Sequence, residues 1–139
     1  MGERKLRYDD VNVGDQAPAL DHKLSRTDLV MYAGASGDFN PMHTDEVAAQ
    51  AAGLPSVFGH GMFSMGLLGT ALTDYVGVGN LRRYKVRFTK QTWPGETLST
   101  TVAVSEKRAN NEIVLECAVV NESGEAKIQG EAVAVLPAG

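Results

Sequence analysis

The sequence predicts an α+β fold, a curved antiparallel sheet of about five strands wrapped around one long buried helix. Three observations predict it. Met62 to Thr73 carries no charge, and Met62, Phe63, Met65, Leu67, Leu68, Ala71, Leu72, Tyr75 and Val76 cover nearly the whole circumference of a helix. A helix apolar all round is a buried one. From Leu81 onward the apolar period changes to two, the period of a strand. Turn signals at Trp93-Pro94-Gly95-Glu96, Asn110-Asn111 and Asn121-Glu122-Ser123-Gly124 divide that stretch into successive strands. A sheet with one face on the helix and the other meeting water or a partner satisfies all three.

The elements follow in order. Met1 to Gly14 is a polar lead-in ending in a turn at Gly14-Asp15, and Pro18 to Lys23 alternates weakly as a short strand. Ser25 offers an N-cap, with Asp28 in the capping-box position. Leu29, Tyr32 and Ala33 share a helical face, and that helix stops near Gly34 to Gly37. A second short helix is expected from Asp45 to Ala52, with Thr44 as its cap, Asp45 and Glu46 at its positive end and Gly53 at its stop. Gly66 and Gly69 cost the long helix ~1 kcal/mol each relative to Ala. They suit a place where another backbone packs closely. In the strands, Tyr84, Val86 and Phe88 face away from Arg83, Lys85 and Arg87. Leu98, Thr100, Val102 and Val104 alternate next, then Ile113, Leu115, Cys117 and Val119, and a last strand runs from Ala126 to Leu136. Four successive strands joined by tight turns predict an antiparallel meander.

The 139 residues suit one domain, 1–139, with a real core. A net charge of −4 gives a nucleic-acid role no electrostatic support. The single cysteine, Cys117, has no internal partner, which fits a reducing, cytoplasmic setting. Met1 to Leu6 is polar without a signal-peptide core, and Leu6 stands where a myristoylation motif following Gly2 needs Ser or Thr. The uncharged segment is too short for a bilayer, which takes ~20 residues. No membrane anchor is therefore expected. The three histidines and one cysteine lack zinc spacing, so no metal is expected. No glycine-rich phosphate loop follows a strand and no serine-hydrolase elbow is present, so no cofactor is expected either.

The run Ala35-Ser36-Gly37-Asp38-Phe39-Asn40-Pro41-Met42-His43-Thr44-Asp45 carries most of the chemistry. It sets a carboxylate, Asp38, and an imidazole, His43, five positions apart across Asn40-Pro41. A turn there breaks helical phase and brings two titratable groups together, as proton transfer requires. Gly59-His60-Gly61-Met62 then makes a flexible approach to the uncharged helix. Taken alone, Asn40-Pro41 is as readily a plain turn, and the two glycines as readily ease a loop into a helix.

This arrangement resembles the MaoC-like dehydratases, or (R)-specific enoyl-thioester hydratases, of the hot-dog fold, and particularly the small actinobacterial 3-hydroxyacyl-thioester dehydratases. The likeness rests on Ser36 to Asp45, then His60-Gly61-Met62, the uncharged helix, Arg87-Phe88, Pro94-Gly95-Glu96-Thr97 and Gly130-Glu131-Ala132, in order along almost the whole chain. It implies reversible addition of water to trans-2-enoyl thioesters of coenzyme A or acyl carrier protein. It also implies Asp38 and His43 as the catalytic pair holding one water, with Asn40 supporting their loop. The N–H of Gly61 becomes the oxyanion donor, and Gly59, His60, Met62 and Met65 border the substrate, His60 chiefly as a structural residue of the loop. Some relatives carry a serine where this chain has Gly69; the hydrogen bond of that serine is then missing or supplied by Ser64 or Thr70, neither of which is assigned to catalysis, or the glycine instead widens the acyl tunnel. Met31 joins Met62 and Met65 as pocket or core. Arg83, Lys85 and Arg87 meet carrier phosphates or only solvent. His22 is expected at the surface, and Trp93 at a turn or interface. The resemblance further implies a homodimer joined edge to edge, with a heterodimer as the other arrangement. Two other readings stay open: a thioesterase on the same fold, and a silent acyl-binding subunit. The Asp-Asn-Pro-His arrangement argues against both.

Overall fold

A computed structural model describes residues 6–138, so the polar lead-in before Leu6 lies outside the described residues. The chain forms β1 (Asp21–Lys23), α1 (Arg26–Ser36), α2 (Pro41–Thr44), α3 (Glu46–Ala51), α4 (Gly61–Val76), β2 (Leu81–Phe88), β3 (Thr97–Lys107), β4 (Glu112–Val120) and β5 (Ala126–Val135), after one 3-10 turn at Tyr8–Asp10. Ser25 caps α1 through a full capping box with Asp28, and Gly37, at φ 78°, ends it.

The five strands form one antiparallel sheet in the order β1-β3-β4-β5-β2. This corrects the expected four-strand meander, which holds only for β3, β4 and β5. After Phe88 the chain does not fold back along β2. The Thr89 N–H bonds Lys127 O, and the segment crosses until Gly95 and Glu96 exchange backbone bonds with Leu24, next to β1. Alternation reports that a segment is a strand; it carries no record of which strand lies beside it. The remaining turns are where the sequence puts them. Asn110 and Asn111 both take positive φ, 64° and 62°, between β3 and β4, as a tight hairpin requires.

Inward residues of the sheet, among them Leu98, Val102, Ile113, Leu115, Val119 and Ile128, close over Leu68, Leu72 and Val76 of α4 to make the core. The helix is not buried all round, as its composition suggested. Ser64, Leu68, Ala71, Leu72 and Val76 are buried, while Met62, Gly66 and Thr70 are exposed. One sheet covers one side of a helix. The glycines also differ from expectation, since a Cβ at Gly66 would meet nothing within 4 Å and one at Gly69 would meet only the Tyr84 ring, at 3.5 Å.

The segment between α1 and α4 departs from expectation too. Pro41 starts a separate short helix, with Asn40 as its cap accepting the Met42 N–H at 3.1 Å. Proline at the first helical position has its φ preset, so Asn40-Pro41 opens a helix and is not a plain turn. Asp45, not Thr44, caps α3 and accepts the Ala48 N–H at 3.1 Å. Glu46 then ties α3 to both sides, pairing with Arg26 of α1 at 2.6 Å and accepting the Val57 N–H at 2.9 Å.

Candidate active site

Local backbone chemistry positions the acid. Past Gly37, the Ser36 hydroxyl accepts the Asp38 N–H at 3.1 Å, and Asp38 Oδ1 accepts the Asn40 N–H at 3.3 Å. Asp38 stays exposed on this loop. Capped by Asn40, α2 carries His43 inward, where it is 8% exposed. Its Nδ1 donates to the carbonyl of Phe58 at 2.6 Å. A carbonyl only accepts, so Nδ1 holds the proton and Nε2 is left as an acceptor. That Nε2 stands 4.0 Å from Asp38 Oδ2. The gap is too long for a direct hydrogen bond, and it suits two groups that each bond one water at ~2.8 Å.

His60 braces both residues from behind. It is 2% exposed, its Nε2 donates to the Asp38 carbonyl at 3.0 Å, and its ring stacks on His43 with centroids 3.9 Å apart. Tyr32 of α1 tilts against the His60 ring, with centroids 4.9 Å apart. The His43 ring also meets Phe58 edge-on, and Phe58 meets Trp93 at 6.0 Å.

Asp38, His43 and His60 can offer one ligand atom each within 4.8 Å, a cluster that spacing along the chain did not foretell. The two rings are inclined by only 27°, so their in-plane lone pairs run side by side. One nitrogen of each ring already serves a backbone carbonyl. A tetrahedral ion needs converging donors, and the arrangement suits a shared water better.

The tip of α4 closes the site. Its N-cap, His60, makes no side-chain cap, so first-turn N–H groups carry the positive end of the helix dipole unmasked. Both flanking glycines have steric reasons. A Cβ at Gly61 would lie 2.8 Å from the Phe88 ring, and one at Gly59 would lie 2.2 Å from Thr92 Oγ1. The Gly59 N–H donates to Thr92 O at 2.8 Å. A cavity of about 510 Å³ is walled by His43, Phe58, Gly59, Gly61, Ser64 and Phe88, with Lys127 and the Thr89–Thr92 crossing on its far side.

The structure thus gathers Asp38, Asn40, His43, Gly59, His60 and Gly61. His60, expected to border substrate, stands behind the pair and is not part of the cavity wall. Met62 is exposed and Met65 packs on the core, and neither lines the cavity. Met31 is exposed on α1. Lys85 and Arg87 lie with Glu116 and Glu131 in a separate groove on the outer face of the sheet. Thr70 spends its hydroxyl on Gly66 O at 3.0 Å. His22 is half-buried and not free at the surface, for its Nε2 bonds Asp28 at 2.8 Å.

Sequence reasoning missed Lys127. It is 1% exposed, and its Nζ reaches Gln91 O at 2.9 Å, Glu125 at 2.8 Å and Glu96 at 3.0 Å. Burial opposes its charge, but the two carboxylates outweigh that and hold its pKa above the ordinary value. A lysine at a covered strand position, with Glu125 two residues before it, was the available signal.

A sheet curved around one helix, with an acid and an imidazole ahead of that helix's tip, is the hot-dog fold. A family model described as "MaoC like domain" matches residues 11–126, and the chain belongs to the MaoC-like family. It is 29% identical over 133 residues to the (R)-specific enoyl-CoA hydratase of Rhodospirillum rubrum, covering 94% of this chain and 92% of that one. It is 42% identical over 82 residues to 3-hydroxyacyl-thioester dehydratase Y of Mycobacterium tuberculosis, a match that covers 56% of this chain and 28% of that longer protein. Among solved structures, R-hydratase PhaJ1 from Pseudomonas aeruginosa superposes with a TM-score of 0.87 at 28% identity, covering 97% of this chain and 88% of that one.

Proposed function

We propose that this chain is a hydro-lyase that interconverts trans-2-enoyl thioesters and (R)-3-hydroxyacyl thioesters by adding or removing water. The observation that carries the reading is the 4.0 Å gap between His43 Nε2 and Asp38 Oδ2, with the His43 tautomer set by Phe58. A water held between them gives its oxygen to carbon 3 while Asp38 takes a proton and delivers one to carbon 2. His43 shares the water and steadies the charge on it. Negative charge gathers meanwhile on the thioester oxygen, where the Gly61 N–H at the helix tip meets it. Asn40 acts through the loop it caps.

The acyl group arrives as a thioester of coenzyme A or an acyl carrier protein; the names of the relatives support a thioester, and one of them coenzyme A. We propose a homodimer, supported by β2 as an open sheet edge and by the exposed side of α4. No helix among the described residues is long and apolar enough to cross a membrane, and a cytoplasmic setting accords with the unpaired Cys117.

The test is direct. Purified protein with trans-2-butenoyl-CoA or trans-2-octenoyl-CoA loses the enoyl absorbance. Asp38→Asn and His43→Ala each lower that rate at least ~10²-fold with circular dichroism unchanged. Full turnover in both variants, or thiol release that ignores the double bond, overturns the reading.

A further inference from the structure

Ser64 is the one hydroxyl on the wall of the His43 cavity that belongs to α4. It is 1% exposed, and its Oγ has no hydrogen-bond partner. A helical serine or threonine commonly returns its hydroxyl to the carbonyl four residues back. Thr70 and Thr73 of the same helix do so, to Gly66 O at 3.0 Å and Gly69 O at 3.1 Å. Ser64 does not. A buried, unpaired hydroxyl costs stability, and one on the wall of a cavity is open to a ligand that pairs it.

Position supplies one. Residues three apart on a helix share a face, and helical side chains lean toward the N-terminus. Ser64 therefore leans over the turn that Gly61 begins. No hydrogen bond holds Oγ, so a single rotation between staggered χ1 positions re-aims it into the cavity at the loss of no bond. The chemistry proposed above builds charge on a thioester oxygen at that same turn, and a carbonyl oxygen has two lone pairs to fill.

We propose that the Ser64 hydroxyl is the second oxyanion donor, bonding the thioester oxygen alongside the Gly61 N–H. This rests on the hydratase reading and adds a residue to it. The hydroxyl stays protonated throughout; it stabilises charge and transfers nothing.

Ser64→Ala, Ser64→Thr and wild-type protein are compared on trans-2-octenoyl-CoA. The alanine variant loses about a hundredfold in kcat with KM within about twofold, and the threonine variant recovers most of the loss. A second measurement needs no turnover. In an Asp38→Asn background, difference infrared spectra of bound trans-2-octenoyl-CoA show the thioester carbonyl stretch lowered from its value in water. Ser64→Ala removes part of that lowering. Unchanged kcat and carbonyl stretch, or a change only in melting temperature as expected if Ser64 merely seats an internal water against the unpartnered His60 Nδ1, overturns the proposal and leaves the hydratase reading standing. Failure of the wild type to hydrate the enoyl thioester overturns both.

Discussion

At the scale of single residues, the site depends on atoms that no side-chain motif records. Asp38, His43 and Gly61 are legible because their types and order are chemical statements. The carbonyl of Phe58 is not legible, since every residue has one, yet it decides which nitrogen of His43 is free. His60 was visible as a residue, but its ring stack and its bond to the Asp38 carbonyl are matters of folding. Gly61 gives the sharpest residue-scale prediction. A methyl there meets Phe88 at 2.8 Å, and Phe88 is itself 54% exposed and outside the core cluster. Gly61→Ala is expected to lower kcat/KM about tenfold or more, and Phe88→Ala in the same chain to restore part of it. Steady-state kinetics on the single and double variants check this. No restoration would place the cost in the backbone and not in the crowding.

At the scale of elements, the β2-to-β3 crossing is what the alternation pattern hid, and Lys127 is what pins it. The lysine holds the Gln91 carbonyl, and the next residue, Thr92, accepts the Gly59 N–H. A strut thus runs from β5 through the crossing to the loop before α4. Its acids are held below their ordinary range. Burial opposes ionisation of Glu96, but bonds from Asn121, Lys127 and the Trp93 N–H outweigh it. Glu125 is drawn down to about 2, chiefly by Lys127 and then Lys90. A carboxylate with a lowered folded pKa contributes its full stabilisation above the unfolded value and loses it as pH falls through the folded one. The melting temperature should therefore hold above the ordinary glutamate value of 4.5 and fall between there and about 2. Lys127→Met leaves the part-buried Glu96 without its ion partner, at a cost of about 3 kcal/mol or more. Calorimetry should show a lower melting temperature at pH 7 and a flatter fall in acid. An equally steep fall would mean that other carboxylates control acid unfolding.

At the scale of the whole molecule, the contrast between composition and burial in α4 has a physical meaning. The segment is apolar enough to be buried all round, but its own sheet covers one side. Composition reports every surface a helix will meet, including surfaces on another chain, so the sequence alone could not separate self-burial from burial by a partner. Gly66 lies on the exposed side with nothing near its Cβ position. Gly66→Arg should cost the isolated fold nothing, since replacing glycine in a helix interior gains up to ~1 kcal/mol. If a second copy covers this side, the variant keeps its helical signal while light scattering reports half the mass. An unchanged mass would move the contact away from this side.

The single tryptophan turns this corner of the candidate site into something that reports on itself. Trp93 sits edge-on to Phe58, whose carbonyl orients His43, and it lies on the same crossing that Lys127 anchors. With no other indole to contribute background, the intrinsic emission of the unlabelled protein is a gauge of how that corner is solvated, and a ligand that displaces Phe58 on the cavity wall should shift it without a chromogenic substrate or an attached dye.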